Sequence, residues 1–247
     1  MQAIILAAGR GSRLGKLTEE LPKAFLEVQG FKLIEYNIAL LHSFGIHDIV
    51  IVTGYHCELF ERLTKQIKGI RCVFNPFYEM TNVLGSFYVG QDLLTEDFAY
   101  LHADTLCSPE IFREMMQTDG DIVLPVDFSA YDEESMKVKT EGGRVTEINK
   151  TMPCAEAEGE FIGIAKISET VISDLKRASK ELMKEKAFTS YFEAAIQRLA
   201  DMRKYEIKTV STRGMFWGEV DFLQDYQKVI REIPIGFVEL TKRELKR

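Results

Sequence analysis

The 247-residue chain is 46% hydrophobic, enough to bury one substantial core as a single large α/β domain or a domain with a small appendage; two equal domains are not expected. A formal charge of −7 excludes a nucleic-acid surface, which needs a dominant basic field, so any bound anion is small and locally held. The four scattered cysteines form no C-x-x-C pair and the four histidines have no ligand-like spacing. They point to reduced thiols and structural imidazoles, and to no disulfide framework or transition-metal site.

After Met1 the chain enters the strand-like QAIILAA without a basic leader, and no apolar run approaches the ~20 residues that span a bilayer, so a soluble cytoplasmic protein is expected. Apolar runs of strand length then alternate with segments of helical period. In order these are IILAA, a helix over about 32–44, DIVIVTG, a helix around 58–68, IRCVFN, a helix near 83–93, FAYLHAD, a short helix opened by Ser108-Pro109-Glu110, and DIVLPVD. The alternation predicts an α/β fold with a doubly wound, mostly parallel, Rossmann-like sheet. From Ser135 the texture changes: MKVKT, the turn EGG and RVTEINK predict a β-hairpin, and GEFIGIAKI one further strand, together a sheet extension or lid. Helices over about 169–184 and 190–203, the strand YEIKTV, the segment RGMFWGEVD and a helix over 221–230 follow. A single domain is therefore predicted over 1–232, with its core at about 1–127 and 205–232 and an acceptor-side extension at about 128–204. Residues 233–247 read as a charged helical tail, either a frayed end or a linker to another module.

The turn after the first strand, within LAAGRGSRLGKLTEELPKAF at 6–25, carries glycines, arginines and a lysine fixed behind a proline. In open parallel sheets ligands sit beyond the carboxyl ends of strands, where a glycine-rich turn lets backbone amides approach a polyphosphate. Two familiar phosphate loops do not fit. Gly9, Gly11 and Gly15 are spaced G-x-G-x-x-x-G, not as the dinucleotide fingerprint requires; Gly15-Lys16 is followed by Leu17, with Arg10 where a P-loop has its first glycine.

The stretch does match L-A-A-G-x-G-[ST]-R-[LM] followed by P-K, and on these residues the chain resembles the sugar-nucleotidyltransferase-like superfamily. The resemblance implies a nucleotide-diphospho-sugar transferase-like fold and a nucleotide held by Leu6, Ala8, Gly9, Gly11 and Ser12. Arg13 would neutralise the departing pyrophosphate, and Lys23, preset by Pro22, would bridge phosphates of nucleotide and acceptor. It further implies a Mg2+ aspartate at the end of a central strand, supplied by Asp104, and a second late in the chain, supplied by Asp221. Magnesium takes hard oxygen ligands and uses few protein carboxylates. Capping the following helix is the plainer role for Asp221, and Glu219 is a candidate for the acceptor site.

Asn82 and Ser86 in NPFYEMTNVLGSFY are four apart and share one face of a helix's first turn. The stretch resembles the Y-x-x-x-N-x-x-x-S segment of the cytidylyltransferase branch, where an amide and a hydroxyl suit the O2 and N4 edge of cytosine; helix capping is the plain alternative for Asn82. Gly54 and Tyr55 are expected to complete the nucleoside wall. Lys150 resembles the lysine of V-x-x-I-x-E-K-P in many relatives, and it and Lys139 across the hairpin are candidates to grip an acceptor phosphate or phosphonate. Wet-face charges on a hairpin are the alternative.

The resemblance is closest to enzymes that act on phosphocholine or 2-aminoethylphosphonate. Such an acceptor is already ionised, so nucleotidyl transfer from CTP needs positioning and charge stabilisation but no general base. A quaternary ammonium wants an aromatic cage, a primary one carboxylates. Tyr131, Tyr191, Phe216 and Trp217 are the candidate rings, and Asp127, Asp132, Glu133, Glu160 and Glu219 the candidate acids. Met136 stands where phosphocholine enzymes place a tryptophan, so 2-aminoethylphosphonate is the expected acceptor, with phosphocholine or a sugar or inositol phosphate as the alternative. Relatives that handle phosphonates can carry a fused aminotransferase, which would suit a linker at the tail. A silent nucleotide sensor need not keep Lys23, Asp104 and Asp221 together, and the glycine spacing opposes an NAD-dependent dehydrogenase.

Overall fold

Aliphatic runs in the first half form strands because β-branched and long apolar side chains suit a sheet covered on both faces. In a computed structural model that describes residues 1–245, the strands are β1 (Gln2–Ala7), β2 (Glu27–Val28), β3 (Phe31–Lys32), β4 (Asp48–Thr53), β5 (Ile70–Phe74), β6 (Phe98–His102), β7 (Thr105–Cys107), β8 (Ile122–Asp127), β9 (Lys137–Glu141), β10 (Arg144–Asn149), β11 (Gly159–Phe161), β12 (Ile164–Ile167), β13 (Ile207–Ser211) and β14 (Trp217–Glu219). The helices are α1 (Leu33–Ser43), α2 (Cys57–Gln66), α3 (Val83–Gly90), α4 (Pro109–Gln117), α5 (Glu169–Lys184), α6 (Glu193–Asp201), α7 (Leu223–Glu232) and α8 (Ile235–Glu244). None is long and apolar enough to cross a membrane.

Ten strands form one mixed sheet in the order β11-β9-β10-β13-β8-β12-β6-β1-β4-β5. β6, β1, β4 and β5 run parallel, as the alternation predicts. From β1 the chain winds outward through β4 and β5, then returns to β6 on the other side of β1. That reversal opens a crevice between the ends of β1 and β6, where ligands bind in doubly wound sheets. Side chains of β1 alternate between two cores: Ala3, Ile5 and Ala7 face one with Tyr36 and Phe60, while Ile4 and Leu6 face the other with Phe87 and Phe98.

Three features sharpen or correct the sequence reading. The predicted strand GEFIGIAKI is two strands, because Gly163 takes φ +78° and turns the chain out of β11 into β12, which inserts antiparallel between β6 and β8. A side chain at Gly163 would put its Cβ 2.7 Å from His102 Nδ1, so the break also lets this turn approach the end of β6. The β9–β10 hairpin continues the main sheet through β13 and is an extension, not a separate lid. The predicted tail is neither frayed nor a free linker over its helix: in α8, Phe237 is buried and stacks on Tyr36 of α1, with ring centroids 4.4 Å apart and planes at 12°.

Candidate active site

The glycine-rich turn after β1 and the lysine behind Pro22 form one unit. Gly11 lies at φ +75°, and a Cβ there would sit 2.9 Å from Lys23 Cβ, so glycine is needed both for the left-handed turn and to let the lysine stem pass. The Thr18 hydroxyl donates to the Gly11 carbonyl at 2.8 Å and fixes the turn. Pro22 at φ −70° leads into a short 3-10 turn over Lys23–Phe25, which sends the Lys23 side chain into the crevice. Leu6, Ala8, Gly9, Gly11, Ser12 and Arg13 line the same cleft, which encloses about 830 Å³.

Two aspartates remote in sequence meet at that lysine. β14 pairs antiparallel with β7, setting Glu219 opposite Thr105, and the Val220 amide donates to the Asp104 carbonyl at 3.1 Å. This short ladder carries Asp221 to Asp104. Lys23 Nζ ion-pairs with Asp104 and donates to Asp221 Oδ1 at 2.6 Å, while Arg13 Nη1 reaches Asp221 Oδ2 at 3.2 Å. Burial alone would lower the Lys23 pKa, but the charges of Asp104, Asp221 and Glu219 more than offset it and the ammonium is held charged. Burial likewise pushes the Asp221 carboxyl up, and Lys23 and Arg13 bring it below its ordinary value. Asp221 is not the helix cap: Asp225 Oδ2 accepts from the Phe222 amide at 2.7 Å at the start of α7, leaving both Asp221 oxygens for the cations.

At the far end of the crevice Asn82 caps α3, its Oδ1 accepting from the Val83 amide at 2.9 Å, and Nδ2 donates to the Thr189 carbonyl at 3.3 Å. Ser86 is buried one turn on, beside Asn75, whose Nδ2 donates to its hydroxyl at 3.2 Å. Both residues line the cleft, so capping and lining coincide. Gly54 and Tyr55 do not line it. The Tyr55 amide donates to the Ala8 carbonyl at 3.1 Å, its hydroxyl donates to the Glu19 carbonyl, and a Cβ on Gly54 would sit 2.6 Å from both Ala8 O and Tyr78 Cβ. These two residues brace the glycine-rich turn from behind, and Tyr78 lines the cleft in their place.

The cleft is also rich in acid. Asp127, Asp132, Glu134, Glu160 and Glu219 line it with Tyr131, Met136, Tyr191, Phe216 and Trp217; Glu134 takes the place expected for Glu133. Burial, and then the charges of Glu219, Asp132 and Asp127, push the Glu160 carboxyl up to about 7 against the Ser135 hydroxyl beside it. Lys150 reaches the cleft, its Nζ 4.8 Å above the Tyr191 ring. Lys139 does not: it lies further along β9, half-exposed, with Nζ 3.9 Å from Glu156. The hairpin lysine that matters structurally is Lys137, fully buried, whose Nζ donates to the carbonyls of Glu133 at 2.9 Å and Lys150 at 2.8 Å and so ties the 133–136 turn to Lys150.

Sequence reading leaves His102 as a structural imidazole, but it lines the cleft two residues before Asp104. Burial would lower its pKa, yet Glu219, 3.7 Å from Nδ1, together with Glu193 and Asp104 raises it to about 9. Its position two residues before the aspartate, on the same face of the strand end, was the available signal. His102, Asp104 and Glu219 each offer a ligand atom within 4.8 Å of the others. Asp104 Oδ1 is buried with no hydrogen-bond partner. A hard-oxygen carboxylate with a free, buried oxygen, facing a second aspartate across the phosphate turn, fits a divalent cation shared with phosphate oxygens.

Residues 3–182 match the MobA-like NTP transferase domain. The chain is similar over its length to a CTP:phosphoglutamine cytidylyltransferase of Campylobacter jejuni, 26% identical over 259 aligned positions covering 94% of this chain and 100% of that one. A choline-phosphate cytidylyltransferase of Streptococcus pneumoniae is 40% identical over 134 residues, 54% of this chain and 55% of the other, and a solved CTP:phosphocholine cytidylyltransferase from that organism superposes with a TM-score of 0.79 at 26% identity, covering 94% of this chain and 99% of that one. A 2-aminoethylphosphonate cytidylyltransferase of Lancefieldella rimae is 35% identical over 109 residues, 44% of each chain. Nucleotidyltransferases of this family generally use a divalent metal ion, in keeping with the carboxylates around Lys23. The chain thus belongs to the MobA-like NTP transferase family, as a nucleotidyltransferase of its cytidylyltransferase branch that transfers a cytidylyl group from CTP to a phosphate-bearing acceptor with release of pyrophosphate.

Proposed function

We propose that this enzyme transfers CMP from CTP to 2-aminoethylphosphonate. A phosphonate oxygen attacks the α-phosphorus in line, the bond from that phosphorus to the bridging oxygen of the β-phosphate breaks, and pyrophosphate leaves. Amides of the turn at 8–12 hold the triphosphate, Asn82 and Ser86 read the cytosine edge, and Arg13 offsets charge on the leaving group. Lys23 spans nucleotide and acceptor phosphates, and Lys150 grips the phosphonate. Asp104 and Asp221 would hold Mg2+, which when bound supplies charge neutralisation on the triphosphate. The observation that carries the choice of acceptor is the acid excess beyond Lys150, where Asp127, Asp132, Glu160 and Glu219 face one cavity. Such a field favours a cation on the acceptor. Met136, nearly buried in that wall, supplies no ring for a quaternary ammonium.

Pyrophosphate release measured with CTP and each of 2-aminoethylphosphonate, phosphocholine and a sugar 1-phosphate tests the reading. The expected result is a kcat/KM for 2-aminoethylphosphonate about tenfold or more above the others, the lower end of the discrimination that methyl-sized differences in a pocket allow. Preference for phosphocholine overturns the choice of acceptor, and preference for a sugar 1-phosphate overturns the cationic reading altogether.

Glu160 adds a pH dependence. Because its carboxyl titrates at about 7, its negative charge is present above that pH and absent below it. The kcat/KM for 2-aminoethylphosphonate is expected to rise about threefold to tenfold through this range, and Glu160→Gln to remove that limb while the limb from the acceptor's own ionisation stays. Superimposable profiles for the two proteins would deny Glu160 any part in acceptor binding.

A further inference from the structure

One buried charge in the cleft has no part in the steps above. Glu193, the first residue of α6, is 1% exposed and lines the cleft two residues after Tyr191, yet neither of its carboxylate oxygens has a hydrogen-bond partner. Buried carboxylates are ordinarily paired, because stripping water from them is costly. The free amides in the first turn of α6 favour a negative charge there but leave these oxygens unsatisfied. The nearest charged group is His102, whose Nε2 lies 4.0 Å away, beyond hydrogen-bond reach, and is engaged with the Tyr100 hydroxyl at 2.7 Å.

Four of the other acids that line the cleft have partners. Asp127 Oδ1 accepts from the Ser129 amide and hydroxyl and Oδ2 from the Trp217 indole at 2.6 Å. Asp132 Oδ1 accepts from the Glu134 amide at 2.9 Å and closes its own turn. Asp221 is taken up by Lys23 and Arg13, and Glu219 faces His102. Among the described acids that line the cleft, Glu193 alone has both carboxylate oxygens buried and without a hydrogen-bond partner. Lys150, above the Tyr191 ring, is near enough for its charge to act on Glu193, so a cation suited to a phosphonate and a carboxylate suited to an amine line one cleft within electrostatic reach of each other.

We propose that Glu193 receives the acceptor's ammonium group, whose N–H donors satisfy its two oxygens, and that this contact selects a primary amine over a quaternary one. A primary ammonium carries three donors and a quaternary one none, so only the first repairs the unpaired carboxylate. The assignment rests on the cationic-acceptor reading above. Burial also holds the Glu193 carboxyl above its ordinary range against the pull of His102, as befits a site that gains when a cation arrives.

The test compares 2-aminoethylphosphonate with ethylphosphonate, the same acid without its amine, in the unsubstituted enzyme and in Glu193→Gln. The unsubstituted enzyme is expected to prefer the amine about a hundredfold or more in kcat/KM. Glu193→Gln is expected to cut that ratio at least about tenfold through the KM for the acceptor, while the KM for CTP moves less than about threefold. Its melting temperature without ligand is expected to be no lower, since the amide keeps the shape and removes an unpaired charge. Glu193→Asp, which withdraws the carboxylate by one methylene, is expected to lower the same ratio and serves if the glutamine variant does not fold. A ratio unchanged in either variant overturns the assignment. So does a rise in the KM for CTP instead, which would give Glu193 to the nucleotide, or an equal loss on both phosphonates with a lower melting temperature, which would make its role structural. Failure of the underlying reading is separately visible, because the unsubstituted enzyme would then use both phosphonates equally or prefer phosphocholine.

Discussion

Lys23→Ala is expected to lower kcat for CMP transfer by about a thousandfold or more, with the protein still folded, because it removes the cation on which both aspartates converge. In the free enzyme Lys23 Nζ bridges Asp104 and Asp221, and Glu219 adds to the field that keeps it charged. Lys23 is therefore positioned before any substrate arrives, and the entropy of placing a flexible side chain is lost on folding, not during reaction. Its loss leaves two facing carboxylates to repel each other and the triphosphate. Some destabilisation follows, but the pair is not fully desolvated, at 14% and 18% side-chain exposure for Lys23 and Asp104, so about 1–3 kcal/mol is a fair ceiling. Lys23→Arg is expected to recover little, since a planar fork does not reproduce a point charge between two carboxylates, and its stem must still pass Gly11. Single-turnover measurement separates this from weaker binding: kcat should fall far more than CTP affinity. A variant that loses affinity for CTP but turns over within about tenfold of the unsubstituted enzyme would sink the assigned role.

How much of this was legible in the sequence follows from which interactions are local. The glycine-rich turn and the alternation of strands and helices are set by short-range pattern and stand where the sequence puts them, while Asp104, implied by the resemblance, lies just past β6 in the cleft. Lys23 came into view through the P-K that follows the turn in the family signature, and in the structure a contact within one loop joins it to Gly11. The insertion of β12 between β6 and β8 could not be read, because a glycine inside an apolar run looks alike whether it continues a strand or turns out of one. Lys137 and Lys139 share a face of β9 by period, and only the fold of the 133–136 turn decides that the first is buried and the second reaches out toward Glu156. Tyr55 failed as a nucleoside wall for a similar reason: its direction depends on the Ala8 carbonyl and Glu19, remote from it in sequence. Unpaired buried atoms such as those of Glu193 leave no trace in a sequence at all, since partnership is a property of the packed state.

Asp104→Asn is the second large effect expected: a loss of about a thousandfold or more in kcat/KM at millimolar magnesium, with an unchanged circular dichroism spectrum. The asparagine keeps the shape of the side chain and, through Val220, the backbone contact that joins β7 to β14, so the fold has little reason to change. What changes is charge. Asp104 Oδ2 is paired with Lys23 while Oδ1 is buried and unpartnered, so on the proposed reading the second oxygen would be the one to hold a divalent cation. An amide supplies neither the charge for the ammonium nor a strong oxygen ligand for the ion. Chelation with EDTA is accordingly expected to abolish pyrophosphate release in the unsubstituted enzyme, and added magnesium to restore it, with the half-saturating concentration shifted upward in the variant. The result separates two accounts of the aspartates. If they serve only to hold Lys23 in place, Asp104→Asn should lower the rate without moving the magnesium dependence, because Asp221 still accepts from Lys23 at 2.6 Å. If they also hold the ion, rate and magnesium dependence move together, and a variant active to within about tenfold with the same magnesium curve would remove Asp104 from the chemistry.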